Sequence, residues 1–280
     1  MSRETSQTTA PVVLATTTFL ADIARNVTGD HLAVDTLLPF GADPHSYQPI
    51  PADIVKISKS TVLIVNGLGY EQFLTPLLEN ARGERLMITA SNGLKPRQMV
   101  EEGNTVIDPH MWLDPNRVIK YVENIRDGLS QADPDGAAFY KSNADDYIAK
   151  LKELDGSIKE QVSQIPSEQR LLVTNHESLG YFSEQYGFTI IGEVLQSVSS
   201  VASPSAKQMA ELVDQIKSSG APAIFLDASD NPELAKQIAE ETSVKVVTDL
   251  HLESLTDGAP AGTYLDMMKS NVTQIVNALR

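Results

Sequence analysis

Short apolar runs alternate with amphipathic segments along most of the chain. Residues 12–15, 61–65 and 171–174 form nearly continuous apolar runs of the kind found in buried parallel strands. The alternation predicts an α/β fold with parallel sheets. The predicted strands are residues 12–15, 31–38, 61–65, 86–88, 171–174, 189–194, 223–226 and 244–247, and the predicted helices between and after them include residues 18–27, 54–58, 73–80, 178–186, 205–218, 232–242 and 264–279.

The middle of the chain departs from this alternation. Apolar residues recur at helical spacing after Pro115, the sequence DPDG interrupts them at residues 133–136, and a second run continues without proline to Val162. This second run is about twice the length of an average helix, which has about 11–12 residues. We therefore predict two parallel-sheet α/β lobes joined by a single long helix. The predicted domains are a disordered N-terminal tail (1–11), an N-terminal lobe (12–132), the connecting helix (133–165) and a C-terminal lobe (166–280).

Composition narrows the classes of function. The 280 residues carry a formal net charge of −15, which argues against nucleic acid or an anionic membrane surface as the main partner. The chain has no cysteine, so any metal site must use imidazole and carboxylate ligands. Residues 1–11 are polar and lack the layout of a signal peptide. Two interpretations of this start remain open, a cytoplasmic protein and an exported protein whose signal has been removed.

Three of the five histidines lie in similar settings. His45 and His176 each follow a predicted strand, and His110 lies between two prolines just before a helical segment. The carboxyl ends of parallel strands are where open α/β sheets bind ligands, so these three histidines could converge on one cleft. A single loop histidine is more often a surface or packing residue, and His31, at the start of a predicted strand, is interpreted that way.

The sequence resembles the metal-binding (cluster A-I, zinc and manganese) solute-binding proteins of bacterial ABC importers. The motifs that carry the resemblance are GADPHSYQP at 41–49, DPHMWLDP at 108–115, TNHESLGYF at 174–182, and GTY at 262–264 followed by MMKSN at 267–271. They span nearly the whole chain in the order expected of the family. The resemblance implies two α/β lobes joined by one long helix, with a metal site in the cleft between the lobes.

The resemblance also implies four metal ligands. One ligand per motif gives His45, His110 and His176, and the fourth is a carboxylate about a dozen residues before the tyrosine of GTY. Glu253 fits that position, although the usual residue is Asp. The nearby rivals for the fourth position are Asp249, Asp257 and His251. Asp43, Asp108 and Asn175 are candidates for hydrogen bonds that orient the histidine rings.

The function that the resemblance implies is capture of a divalent transition metal outside the cytoplasm and its delivery to the membrane permease of an ABC importer. Three histidines and one carboxylate are a familiar tetrahedral Zn²⁺ set, and His176 stands where manganese and iron receptors of the family often have Glu. The family's long His-rich loop is missing, so Mn²⁺ (or iron) remains the alternative. We further expect a monomer, a lipid anchor as in many relatives, an adhesin role as described for some, and affinity that falls below about pH 6.5.

Two other functions remain open from the sequence. A zinc hydrolase would use the three histidines as ligands and Glu177 or Glu253 as general base, and it would keep one coordination position open. A receptor for haem or cobalamin would need a large aromatic cleft, yet aromatic residues make up only 6% of the chain.

Overall fold

A four-stranded parallel sheet is built from the short apolar runs of the first third of the chain. The computed structural model describes residues 10–101 and 104–280, so most of the predicted disordered tail lies outside the described residues. The strands β1 (Val13–Ala15), β2 (Val34–Thr36), β3 (Val62–Val65) and β4 (Leu86–Thr89) are arranged in the order β2-β1-β3-β4. The helices α1 (Thr18–Thr28), α2 (Pro51–Lys59) and α3 (Leu74–Asn80) alternate with them. All four residues of β3 are buried, as expected for an apolar strand inside a parallel sheet.

A β-hairpin that the sequence pattern did not predict follows this sheet. Its strands β5 (Gln98–Glu101) and β6 (Asn104–Ile107) pair antiparallel as a separate two-stranded sheet. The predicted strands include none between residues 88 and 171. The strands are only four residues long, and so short an alternation of apolar and polar residues does not stand out from a loop.

Two consecutive helices form the middle of the chain. Helix α4 (Pro115–Ala132) begins at Asp114, whose carboxylate accepts a hydrogen bond from the Asn116 amide, and Pro115 occupies its first turn. After the turn at residues 133–136, α5 (Ala137–Val162) continues for 26 residues and packs against α4 and α1. The long helix predicted here is present. The domain boundaries at 132 and 165 stay a prediction.

The second half of the chain returns to strand–helix alternation. The strands β7 (Leu171–Thr174), β8 (Thr189–Glu193), β9 (Ala223–Asp227) and β10 (Lys245–Leu250) form a second parallel sheet in the order β10-β9-β7-β8. The helices are α6 (Gly180–Tyr186), α7 (Ala206–Ser219), α8 (Glu233–Thr242) and α9 (Tyr264–Leu279). The predicted α/β fold with two parallel-sheet lobes is confirmed.

Hydrogen bonds made by buried aromatic side chains join the two halves near the middle of the molecule. Trp112 is fully buried and stacks on Phe19 with 4.5 Å between ring centroids. Its indole Nε1 donates to the Leu252 carbonyl at 2.8 Å, and the Tyr264 hydroxyl donates to the Trp112 carbonyl at 2.7 Å. The loops at residues 108–115 and 251–255 are therefore fixed against each other. Among the helices of the described residues, none combines the length and apolarity that crossing a membrane requires.

Candidate metal centre

The loop that contains His45 forms a turn that holds this residue in place. The loop follows β2, and Gly41 has a φ of +73°, which favours glycine over residues with a side chain. Asp43 then accepts a hydrogen bond from the His45 amide at 2.9 Å through one carboxylate oxygen. The other oxygen accepts from the Ser200 hydroxyl at 2.6 Å, across to the second half of the chain. This arrangement points the imidazole inward, where only 6% of the side chain is exposed.

His110 is oriented by Asp108. The imidazole is fully buried, and Asp108 Oδ1 lies 2.9 Å from both the His110 amide nitrogen and the ring Nδ1. Because Nδ1 donates to a carboxylate, Nε2 is the ring nitrogen left to bind an ion. Of the three residues expected to orient histidine rings, Asp108 does so. Neither Asp43 nor Asn175 has a hydrogen bond to a histidine ring within the described residues, which corrects that part of the prediction. Asp43 instead holds the His45 amide.

His176 comes from the second sheet. It lies two residues after the end of β7, and its side chain is 1% exposed. The next residue, Glu177, donates its amide to the Ser197 carbonyl at 2.9 Å, which fixes the backbone beside the histidine. The Glu177 carboxylate is paired with Arg97 Nη1 at 2.8 Å rather than joining the histidines. Glu177 is thus placed poorly for the general-base role that a hydrolase would assign it.

Glu253 is the carboxylate that the fold brings to the histidines. Its side chain is 1% exposed, and its Oε2 accepts a hydrogen bond from the Tyr70 hydroxyl at 2.7 Å. The backbone amide of Glu253 donates to Asp227 at 3.3 Å. The rivals lie elsewhere, because Asp249 and Asp257 are exposed and His251 is fixed through its backbone to Asn271.

The four side chains converge on one point. Their ligand atoms all lie within 4.8 Å of one another. Glu253 Oε1 is 3.4 Å from His110 Nε2 and 3.3 Å from His176 Nε2, and Glu253 Oε2 is 4.0 Å from His45 Nε2. The Nε2 atoms of all three histidines and Oε1 of Glu253 are buried without a hydrogen-bond partner in the described part of the chain. Buried polar atoms are normally paired, so these orphaned atoms fit a cation between them.

The electrostatics of the four side chains favour an ion pair at the centre of the site. Burial opposes charge on His110, but the Glu253 carboxylate and the hydrogen bond to Asp108 outweigh it and raise the pKa of His110 to about 10. Burial also opposes charge on Glu253, yet the surrounding histidines, His110 first, hold the pKa of Glu253 well below its usual range. His45 is different, because burial dominates there and lowers its pKa to about 4. The negative charge of the Glu253 carboxylate is thus balanced by the positive charge of protonated His110.

A cavity of about 460 Å³ adjoins the site on the His45 side. Tyr70, the hairpin strand β6 and the loop at residues 197–199 line it, together with Glu101. His45 is itself among the residues that line this cavity.

Two residues that support the site, Tyr70 and Asp227, could not be predicted from the positions of the histidines. Tyr70 lies in the loop after β3, in a Gly-rich segment at the edge of the first sheet where the His45 loop also lies, and that placement was the available clue. Asp227 ends β9 and holds the backbone of the Glu253 loop. A tyrosine or aspartate at the end of a strand is too common for sequence reasoning to single out.

Comparison with known proteins points to one family. The family model "Zinc-uptake complex component A periplasmic" matches residues 13–278. Similar relatives include the manganese-binding lipoprotein MntA of Halalkalibacterium halodurans, 34% identical with 95% of this chain and 88% of that protein covered, and the iron-binding protein YfeA of Yersinia pestis, 31% identical with 94% and 84% covered. Among solved structures, the Mn-bound periplasmic metal-binding protein of Candidatus Liberibacter asiaticus matches with a TM-score of 0.85 at 31% identity, covering 96% of this chain and 100% of that one.

Proposed function

The chain belongs to the family of periplasmic metal-binding, substrate-binding proteins of ABC importers, which are not enzymes, and from that premise we propose that it captures Zn²⁺ for such an importer. His45, His110, His176 and Glu253 are the proposed ligands. The ion is cargo, since the protein would release it to a permease after carrying it through the extracytoplasmic space.

The observation that carries this proposal is the convergence of four buried ligand atoms without hydrogen-bond partners in the described residues. Zn–N and Zn–O bonds of about 2.0–2.1 Å in a tetrahedron imply about 3.3–3.4 Å between neighbouring ligand atoms. The separations of Glu253 Oε1 from His176 Nε2 and His110 Nε2, 3.3 and 3.4 Å, equal that value.

Zinc is favoured by the way in which Glu253 is bonded. The Tyr70 hydroxyl donates to Oε2, so Oε1 is the oxygen left to face His110 and His176. One carboxylate oxygen and three imidazoles make a four-coordinate set, which suits Zn²⁺. Mn²⁺ takes more ligands and prefers oxygen, and this site offers it little oxygen.

Manganese is the second candidate, with iron after it. The MntA relative is named for manganese and the YfeA relative for iron, and a similar solved structure holds Mn²⁺. The 4.0 Å between Glu253 Oε2 and His45 Nε2 leaves Oε2 near the ion, so a carboxylate bound through both oxygens would raise the coordination number. We rank this below zinc because Oε2 is already bonded to Tyr70.

Calorimetric titration of chelator-stripped protein with Zn²⁺ and, separately, Mn²⁺ tests the proposal. We expect one-to-one zinc binding, much weaker manganese binding, and loss of most of the zinc affinity in His176→Ala. His251→Ala is the matched control, because that histidine lies outside the cluster. Manganese binding as tight as zinc binding would move the assignment to the second candidate. Absence of binding to either ion would refute the metal-receptor proposal.

Delivery to a permease, an extracytoplasmic location, a lipid anchor and a monomeric state remain proposals for this chain. Relatives named as ABC transporter substrate-binding lipoproteins support the first three. Co-purification with a metal-importer permease from membranes would test the partner.

A further inference from the structure

Arg97 connects the two halves of the metal site. Its Nη1 lies 2.9 Å from Asp108 Oδ2 and 2.8 Å from Glu177 Oε1, and its Nε lies 2.7 Å from Glu184 Oε1. Asp108 belongs to the loop that carries His110, whereas Glu177 and Glu184 belong to the segment that carries His176. One guanidinium therefore pairs with carboxylates from both sides of the cleft.

Both of the inner carboxylates depend on this cation. The Asp108 side chain is fully buried and that of Glu177 is 8% exposed. Buried carboxylates need a partner, and removal of the partner leaves an uncompensated charge. Asp108 uses Oδ1 for His110 and Oδ2 for Arg97, so the guanidinium fixes the carboxylate that fixes the histidine ring.

The backbone around Arg97 is shaped to admit the guanidinium. A Cβ atom on Gly180 would lie 1.4 Å from Arg97 Nη1, so any larger residue there would displace the guanidinium. The Tyr181 hydroxyl accepts from the Arg97 amide and donates to the Asp108 carbonyl, each at 2.8 Å. Gly180 and Tyr181 thus provide space and a second bridge at the same place.

We propose that Arg97 is a positioning residue for metal capture. By bridging Asp108 and Glu177, it holds the His110 loop and the His176 loop at the separation at which both Nε2 atoms reach one ion. An ordinary exposed ion pair would have little effect on a site this far inside the protein. The inference rests on the proposed function, because it concerns the same site.

Three variants separate this role from a general loss of charge. Arg97→Ala removes the bridge. Gly180→Ala leaves every charge in place but occupies the space of the guanidinium. Arg126→Ala is the control, since Arg126 also has a 26% exposed side chain but pairs with its neighbour Asp127 on α4, and the loss of one positive charge is the same.

The measurement is zinc affinity of each chelator-stripped protein by competition with a chromogenic chelator, beside a thermal melt of the metal-free form. We expect Arg97→Ala and Gly180→Ala to bind Zn²⁺ about 10–100-fold more weakly than the parent, as is typical when the partner of a metal ligand is lost. Arg126→Ala should stay within about twofold. Millimolar guanidinium should restore much of the affinity of Arg97→Ala, whereas NaCl at equal ionic strength should not.

Guanidinium rescue is the readout that a merely structural role would not change. The inference would be overturned if Arg97→Ala or Gly180→Ala bound zinc as tightly as the parent protein. It would also be overturned if guanidinium did not restore the zinc affinity of Arg97→Ala. If Arg97→Ala does not fold, Arg97→Lys takes its place; it retains the charge but lacks the planar fork, and it should bind zinc more weakly than the parent. Failure of the parent protein itself to bind zinc would instead refute the proposed function.

Discussion

At the scale of single residues, the candidate site is defined by which atoms are already bonded. His110 offers Nε2 because Asp108 holds its other ring nitrogen, and Glu253 offers Oε1 because Tyr70 holds its other oxygen. Nε2 of His45 and of His176 is also buried without a hydrogen-bond partner in the described residues. The proposed preference for Zn²⁺ and the expected release of protons on binding rest on these hydrogen bonds. Two predictions belong to this scale.

The first concerns the Tyr70 hydroxyl. Tyr70→Phe frees Glu253 Oε2, which lies 4.0 Å from His45 Nε2 and can then become a further oxygen ligand. We expect the ratio of manganese to zinc affinity to rise about tenfold or more, because Mn²⁺ gains from added oxygen and Zn²⁺ does not. Parallel titrations with the two ions measure the ratio. Tyr147→Phe is the control, since that buried hydroxyl has no hydrogen-bond partner among the described residues, and an equal ratio in both variants would contradict the argument.

The second concerns protons released on binding. A pKa of about 10 keeps His110 protonated at pH 7 in the metal-free protein, whereas a pKa of about 4 leaves His45 neutral. An ion can bind His110 Nε2 only after that proton leaves, so zinc binding at pH 7 should release about one proton from His110. Zinc affinity should therefore keep rising with pH above 6.5. The unperturbed histidine pKa instead predicts a fall in affinity only below about pH 6.5, so the pH dependence distinguishes the two expectations.

Calorimetric titration with zinc, repeated in buffers that differ in ionisation enthalpy, measures the number of protons released on binding. Asp108→Asn is the informative variant, because it removes one of the carboxylates that raise the pKa of His110 and should reduce the count at pH 8. Zinc binding that releases no proton at pH 7 would show that His110 is already neutral.

At the scale of elements, loops at strand ends carry the chemistry and the strands themselves position it. The loops after β2 and β7 supply His45 and His176, and the end of β9 supplies Asp227, which holds the Glu253 backbone. The end of β8 brings Glu193 near Glu177, and this pair makes stability depend on pH.

The prediction at this scale is that Glu193 destabilises the metal-free fold as pH rises. Burial, and then the neighbouring Glu177 carboxylate, raise the pKa of Glu193 to about 8. Between its unfolded value of 4.5 and about 8, the folded state holds a proton that the unfolded state has lost, so stability falls with rising pH in that window. Glu193→Gln should reduce this loss of stability with rising pH. We expect its melting temperature at pH 9 to be a few degrees higher than that of the parent, since 1 kcal/mol corresponds to about 2–4 °C for a protein of roughly this size.

Melting temperatures of the two chelator-stripped proteins from pH 5 to pH 9 provide the test. Glu160→Gln, which changes an exposed carboxyl on α5, is the control for altered net charge. Parallel curves for the parent and Glu193→Gln would mean that Glu193 does not keep its proton in the folded state.

At the scale of the whole molecule, the ion would bridge two separately built lobes. His45 and His110 come from the first half of the chain, and His176 and Glu253 come from the second. The halves also meet through Trp112, through the hydrogen bond between Asp43 and Ser200, and through Arg97. Metal binding and the contact between lobes should therefore be coupled.

The prediction at this scale is a rise in melting temperature with zinc. An ion that binds only the folded state adds about 2.7 kcal/mol at a concentration of 100 Kd, which is about 5–10 °C for a protein of this size. The rise should disappear after chelation and in His176→Ala, while His251→Ala should retain it. Calorimetric scans at several zinc concentrations measure the shift. A melting temperature that does not change with zinc would contradict binding across the cleft.

The sequence by itself determined the α/β alternation, the long helix and the three histidines of the candidate site. Apolar runs mark buried strands wherever their length and composition stand out, and rare residues such as histidine stand out in Gly- and Pro-rich loops. The motif resemblance was needed to choose Glu253 over Asp249 and Asp257, because local sequence does not distinguish a buried loop acid from an exposed one.

Only the tertiary structure decided how the site is supported. The hydrogen bond from Tyr70 to Glu253 joins residues 183 positions apart, and the ion pair from Arg97 to Glu177 joins residues 80 positions apart. The hairpin β5–β6 could not be predicted from the sequence pattern either, because its strands are too short to show a clear alternation of apolar and polar residues. Hydrogen bonds, burial and pKa values depend on which distant segments the fold brings together, and no local pattern of residues records that.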